Sequence, residues 1–118
     1  MPIKTEPTTS SQLFERVAWE SRQTADDGFG NEQGTFVEQF ETYAEFIHLR
    51  GGEAVVAARL EGRQPTVVRI RATAQALLIK PDWQMRDTRT SALYAVRSVA
   101  PTRDRRWVDV MVEGGVAA

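Results

Sequence analysis

The stretch from Asp26 to Glu32, rich in acids and glycines, is the first segment whose composition could bind an ion. Its sequence Asp-Asp-Gly-Phe-Gly-Asn-Glu has the oxygen-rich opening of a calcium loop. Such a loop needs oxygen ligands at alternate positions and an acid at its twelfth. Counted from Asp27, the twelfth position is Glu38, but two glycines and Phe29 occupy the expected ligand positions. The segment also lacks the Lys-Ser/Thr pair of a phosphate-binding loop. A hairpin turn is therefore the favoured interpretation.

Side chains suited to catalysis are scarce. The chain has no cysteine and a single histidine, His48, which excludes a catalytic thiol, a disulfide framework and a multi-histidine metal cluster. On a predicted strand, Glu41 and Glu45 share a face with Tyr43, whereas Glu38 lies on the other face. This pattern indicates a solvated strand face instead of an acid/base pair. We expect no catalytic residue, no cofactor and no metal.

Basic residues interleaved with apolar ones raise the possibility of nucleic-acid binding. They occur along Val67–Arg71 and again at Arg103, Arg105 and Arg106. A small OB-type barrel would bind single strands by stacking bases on exposed aromatic rings. The candidate rings are Trp83, Tyr94 and Trp107, and their alternation with polar residues favours positions in the core. No helix of suitable length and charge is available to enter a major groove.

Length and composition indicate one soluble globular domain. The chain has 118 residues, of which 42% are hydrophobic and 26% charged, close to the globular average. A domain of this size buries enough surface to fold alone. No apolar run approaches the ~20 residues of a membrane span, and the N-terminus lacks the basic-then-apolar pattern of a secretory signal. We therefore expect a protein that is made inside the cell.

The net charge of −1 hides an asymmetry between the two halves of the chain. Residues 1–61 carry a net charge of −6 and residues 62–118 a net charge of +5. If the halves place their charges on opposite faces, unlike surfaces of neighbouring molecules can meet and steer docking. If the halves interleave in one sheet, the charges mix instead.

Alternation of apolar and polar residues predicts about six strands, so the expected fold is mainly β, a small antiparallel barrel or sandwich. One predicted strand, after the turn-rich loop Thr24–Gly34, runs for about 13 residues or ~43 Å. This length exceeds the need of one small sheet, so we expect a bulge midway or a projecting part. Phe36, Phe40, Ala44 and Phe46 are predicted to share one of its faces. The other predicted strands are Phe14–Gln23, Pro65–Ala72, Trp83–Arg86, Leu93–Val99 and Arg106–Glu113, with Leu77–Ile79 as an additional short candidate.

Two segments stand apart from the predicted barrel domain of residues 13–114. Residues 1–12 hold two prolines and almost nothing to bury, which predicts an extended arm, and residues 115–118 form a short tail.

Within the barrel domain, the alanine-rich stretch Glu53–Leu60 predicts a short helix in an insertion over residues 51–62, flanked by glycines. A helix of two or three turns is stable only when it packs on something.

The order of these segments resembles the phage head–tail joining family, also called stopper or head-completion proteins. The similarity covers about residues 14 to 113, and one departure is that Thr88–Ser91 replaces a glycine-containing turn. The motifs on which this resemblance rests are, in chain order, Phe14-Glu15-Arg16-Val17-Ala18-Trp19, Asp27-Gly28-Phe29-Gly30-Asn31, Gly51-Gly52-Glu53-Ala54, Val68-Arg69-Ile70-Arg71, Met85-Arg86, Tyr94-Ala95-Val96 and the strand after Arg105-Arg106.

The resemblance implies a small β-barrel that forms a six- or twelve-fold ring between the portal or its adaptor and the tail terminator or tail tube. Such a ring lines the channel for double-stranded DNA and helps to retain packaged DNA. It implies a location in the neck of a phage or a gene transfer agent, after assembly in the host cytoplasm. The family carries no catalytic residues, and no membrane is involved.

We expect residues 48–64 to form an insertion that faces a partner or the lumen. A second set of arginines could contact DNA or a neighbouring subunit. Two alternatives stay open, namely a tail-terminator or adaptor ring of the same particle, and an OB-like module that binds single strands with salt-sensitive affinity. The candidates in the insertion are Arg50, Gly51, Gly52, Glu53, Arg59 and Arg63, and the second set is Arg69, Arg71, Arg103 and Arg105.

Overall fold

The computed structural model describes residues 12–26, 32–48 and 64–114. Six strands form a closed antiparallel barrel in the order β1-β2-β3-β6-β5-β4, which confirms the predicted fold class. The predicted helix over 53–60 lies outside the described residues, and no helix within them is long and apolar enough to span a bilayer. The strands are β1 (Glu15–Asp26), β2 (Glu32–His48), β3 (Gln64–Arg71), β4 (Gln84–Asp87), β5 (Leu93–Pro101) and β6 (Trp107–Gly114).

Alternation along β3 and β6 builds the core, as the sequence predicts. Val68 and Ile70 of β3 point inward and are fully buried, as is Val110 of β6. The residues between them point outward, where Arg69 lies directly opposite Asp109. Because successive side chains of a strand alternate between faces, one continuous apolar lining fills the barrel interior.

The long strand β2 contains the predicted bulge. Trp19 of β1 faces Phe40, but the next residue, Glu20, faces Glu38, so Gln39 is the extra residue. A bulge shifts the inward and outward alternation of the strand on one side of it. The predicted grouping of Phe36 with Phe40 is therefore wrong, since Phe36 lies opposite the outward-facing Arg22. Glu38 likewise joins the outer face instead of the face opposite Glu41.

The β1–β2 hairpin is longer than the sequence indicates. The predicted loop Thr24–Gly34 is wrong at both ends, because β1 continues to Asp26 and β2 begins at Glu32. Pairing between the two strands outweighs the turn preference of Gly34, which lies opposite Thr24 in the ladder. Residues 21–26 and 32–38 thus form a two-stranded ribbon, which extends past the barrel wall.

The predicted strand Leu77–Ile79 is also wrong. Residues 76–78 form a 3₁₀ turn within a connection, residues 72–83, that we name the capping loop. Thr73 accepts hydrogen bonds from the backbone of this turn through its carbonyl and its hydroxyl. Ala76, Ile79 and Trp83 are buried in the core, so the loop closes one end of the barrel. The N–H groups of residues 77–79 donate within the loop, to the carbonyls of Thr73, Gln75 and Ala76, so they are not available to a strand ladder.

The turn between β4 and β5 contains no glycine and places a serine in the left-handed backbone region. Ser91 adopts a φ of 63°, which glycine accepts more readily than other residues. Its N–H donates to the carbonyl of Asp87 at 2.8 Å, and the N–H of Arg89 donates to the Asp87 carboxylate at 3.0 Å. Side-chain capping by an aspartate thus stabilises a turn that has no glycine.

The strand directions divide the connections between two ends of the barrel. At one end, β3 stops at Arg71, the capping loop crosses to β4, the loop 102–106 joins β5 to β6, and the ribbon emerges. We name this the basic end. At the opposite end lie His48, Gln64, the 88–91 turn and Gly114.

Candidate interaction surface at the basic end

The loop 102–106 presents three arginines to solvent on a compact scaffold. Arg103, Arg105 and Arg106 are all exposed. The loop is organised by Asp104, whose carboxylate accepts a hydrogen bond from the Thr102 hydroxyl at 2.6 Å and one from the Arg106 N–H at 3.1 Å. These two bonds, the first being the larger cause, lower the pKa of Asp104 below its usual value. The loop therefore holds its arginines around one ionised carboxylate.

Arg105 takes a backbone conformation that glycine usually occupies. Its φ is 61°, and its N–H donates to the carbonyl of Thr102 at 3.0 Å. The Thr102 N–H in turn donates to the carbonyl of Trp107 at 2.9 Å. These bonds close the connection tightly.

Arg71, the last residue of β3, joins this loop through the sheet. It lies opposite Trp107 of β6, and its guanidinium lies over the indole ring, 5.9 Å from the centroid. The next residue, Ala72, donates its N–H to the carbonyl of Arg106 at 2.9 Å. Stacking on an aromatic face holds the Arg71 guanidinium at this end of the barrel.

Of the four arginines predicted as DNA or subunit contacts, the structure brings together Arg71, Arg103 and Arg105. Arg69 lies on the barrel wall and binds Asp109 through two hydrogen bonds. The Asp109 carboxylate is the first cause of the raised pKa of Arg69. The prediction that Arg69 contacts DNA or a subunit stays untested, and the structure gives this residue a partner within its own barrel.

The predicted insertion candidates, Arg50 through Arg63, lie outside the described residues. Their flanking residues, His48 and Gln64, are paired strand ends at the end opposite to Arg71. The described residues that flank the predicted insertion therefore lie at the end of the barrel opposite to Arg71.

A cleft of about 440 Å³ opens between the ribbon and the capping loop. Phe40 and Trp83 form an edge-to-face pair in its wall, with ring centroids 6.4 Å apart. Its rim carries Arg22 and Lys80, two exposed cations that sequence reasoning did not select. Neither has basic neighbours in the sequence, so only the topology reveals their place at the basic end.

The outer wall mixes charges from the two halves of the chain. Arg86 of β4 binds Glu20 of β1 at 3.3 Å and Glu38 of β2 at 2.7 Å. Across the other boundary between the halves, Glu45 of β2 lies opposite Arg69 of β3. The interleaved arrangement is therefore the correct one at these boundaries, because the barrel order places β4 and β3 on either side of the β1–β2 pair.

The three aromatic rings considered for base stacking do not form an exposed surface on which bases could stack. Trp83 is buried in the core, Tyr94 is half-buried and packs against the core, and Trp107 is buried beneath Arg71. Among the described residues, no three His, Asp or Glu side chains converge as metal ligands. The surface at the basic end is thus suited to electrostatic contact with a partner's acidic groups or with phosphates.

Comparison with known proteins identifies a family and two structural neighbours. A family model described as phage head completion protein matches residues 9–115. The solution structure of a protein from Shigella flexneri 2a has a TM-score of 0.68 at 12% identity, over 94% of this chain and 100% of that chain. A chain in the virion of a native gene transfer agent particle has a TM-score of 0.63 at 20% identity, over 90% and 97%. At these identities both neighbours show a shared fold. No curated protein matches significantly.

Proposed function

The chain belongs to the phage head completion protein family, and on that premise we propose that it forms a ring in the neck of a phage or gene-transfer-agent-like particle. The ring lies between the portal or its adaptor and the tail, joins the two, and helps to retain packaged double-stranded DNA. The family match over residues 9–115 carries this proposal, and it confirms the resemblance found in the order of sequence segments. The family is one of structural proteins, so the proposal contains no reaction.

The placement of the two predicted contact sets supports a joining role. Arg71, Arg103 and Arg105 belong to the basic end, and the segment 48–64 is anchored at the opposite end. A protein that links two assemblies needs a separate surface for each. We assign the basic end to acidic partner groups or to DNA phosphates at the channel, and the segment 48–64 to the other neighbour or to the lumen.

The basic end is tested by removing two charges without disturbing its loop. The double variant Arg103→Ala/Arg105→Gly keeps a residue that accepts the φ of 61° at position 105. The matched control is Arg97→Ala, which removes one cation from a side chain 44% exposed on β5, in the barrel wall between the two ends. We expect the double variant to lower the yield of joined particles roughly tenfold and the control to leave it unchanged. Equal yields from both would overturn the assignment of the basic end.

The segment 48–64 is tested by deletion of residues 52–62 in the full chain. We expect a folded barrel, with an unchanged far-UV spectrum and cooperative unfolding, that no longer joins heads to tails. Unfolding of the deleted chain would show that the segment belongs to the core, and normal joining would show that neither neighbour needs it.

A further inference from the structure

The ribbon has two long strand edges that no described strand covers. β1 pairs with β4 only over Val17–Glu20, so residues 21–26 have β2 as their sole described neighbour. β2 pairs with β3 only from Ala44 onward, so residues 32–43 have only β1. The uncovered edge of β2 spans more residues than any of the described strands β3 to β6.

An uncovered strand edge carries N–H and C=O groups that can pair with another strand. Soluble proteins usually protect such edges with lysine, proline or short strands. Neither residues 21–26 nor residues 32–43 contain a lysine or a proline. The bulge at Gln39 interrupts the β2 edge at one point and leaves the remaining length available. These edges therefore have the composition of a pairing surface.

We propose that the β2 edge of one copy pairs with the β1 edge of the next copy, so that the ribbons of successive copies form one antiparallel sheet. This inference rests on the proposed ring. Rotation about a ring axis carries β1 of one copy beside β2 of its neighbour, running in opposite directions and at similar height. The contact is heterologous, because each copy uses two different edges, and such contacts form a ring when the rotation between copies closes.

The outer faces of the two edges differ in charge. The β1 edge carries Arg22, which lies over the Phe36 ring, 5.2 Å from its centroid. The β2 edge carries Glu38 and, beyond the ribbon, Glu41, whose side chains are 46% and 33% exposed and which bind Arg86 at 2.7 Å and Arg16 at 3.0 Å within the same barrel. Unlike charges on facing strands stabilise a pair, and like charges oppose it. A β2 edge therefore meets a β1 edge more favourably than a second β2 edge.

The inner face of the ribbon adds side chains that suit a sheet contact. Gln39 donates to the Ser21 hydroxyl at 2.8 Å, and Gln23 donates to the same oxygen at 3.1 Å. Val37 is 44% exposed beside them. Hydroxyl, amide and β-branched groups pair well across strands.

Cross-linking between separately substituted copies tests the proposal, since the chain has no cysteine of its own. One purified full-length copy carries Gln23→Cys, and a second copy with an affinity tag carries Val37→Cys. The two are mixed at high concentration and oxidised with copper phenanthroline. The matched control replaces Val37→Cys by Leu93→Cys, a site on β5 that is 50% exposed.

We expect the 23–37 mixed disulfide to exceed the 23–93 control by at least about fivefold, because paired edges raise the local thiol concentration. Equal yields would overturn the edge pairing. The outcome is independent of particle assembly. A chain that cross-links as expected but does not join heads to tails would contradict the proposed function alone, and a chain that joins them without this cross-link would contradict the edge pairing alone.

Discussion

Arg69 and Asp109 form a bidentate ion pair between adjacent strands of the barrel wall. The Arg69 Nε donates to Asp109 Oδ1 at 2.7 Å, and its terminal nitrogen donates to Oδ2 at 2.9 Å. The two residues lie directly opposite each other across the β3–β6 ladder. The side chains are only 14% and 17% exposed, so this arginine fixes the register of two strands that both contribute to the core.

We predict that Arg69→Ala lowers the free energy of unfolding by about 1–2 kcal/mol, because Asp109 loses both charged hydrogen bonds while solvent still screens part of the charge. Arg69→Lys should recover part of the loss, since an ammonium cannot reproduce the fork. Urea unfolding at pH 7 measures both. An Arg69→Ala protein as stable as the parent, but defective in joining, would show that Arg69 acts as a contact residue instead.

Trp19 connects the core to β2 through its indole. The side chain is fully buried, and its Nε1–H donates to the Thr42 hydroxyl at 2.9 Å. Replacing Thr42→Val keeps the shape of the side chain but leaves a buried donor unpaired, which should destabilise the fold by about 1–2 kcal/mol. Thr42→Ser retains the acceptor and serves as the control. If the valine variant unfolds no earlier than the serine variant, the hydrogen bond does not stabilise the barrel.

Ser91 offers a stabilising substitution. Its φ of 63° is unfavourable for a residue with a side chain, whereas glycine adopts it without a steric penalty. We expect Ser91→Gly to raise the free energy of unfolding by about 0.5 kcal/mol after the loss of chain entropy is included. Thr90→Gly, in the same turn, should lower it. Thermal unfolding compares the two, and a lower midpoint for Ser91→Gly would contradict the turn geometry.

Asp104 should make the basic end sensitive to acid. Its pKa is lowered in the folded protein by the Thr102 hydroxyl and the Arg106 N–H. A lowered folded pKa contributes stability that is present above the unfolded pKa of about 3.9 and is lost as the pH falls through the folded value. We therefore expect Asp104→Asn to destabilise the protein at pH 7 and to have no effect at a pH below the folded pKa. Urea midpoints at several pH values measure this, and a pH-independent difference would contradict it.

The core was predictable from the sequence, because alternation marks Val68, Ile70 and Val110 without knowledge of their neighbours. The orientation of Phe36 was not predictable, because the position of the extra residue, Gln39, is decided by the pairing with Trp19 and Glu20. Leu77 and Leu78 illustrate the same limit. Their apolar character favours a strand, but their N–H groups donate to Thr73 and Gln75 within the capping loop, and both side chains are exposed.

The sequence predicts that arginines form the candidate surface, but it does not predict which of them the fold brings together. Arg103 and Arg105 stand out as a local basic cluster in the sequence. Arg71 joins them only because β3 and β6 are adjacent, although three elements separate them in the chain. Arg22 and Lys80 reach the same end through the ribbon and the capping loop. Such convergence depends on topology, which the local pattern of residues does not determine.

Electron microscopy of particles from a strain that lacks this gene tests the central claim most directly. If the chain joins heads to tails, the strain produces separate finished tails and heads that are empty or leak their DNA, and expression of the full chain from a plasmid restores joined particles. Intact joined particles, made at the normal yield without this gene, would contradict the joining role.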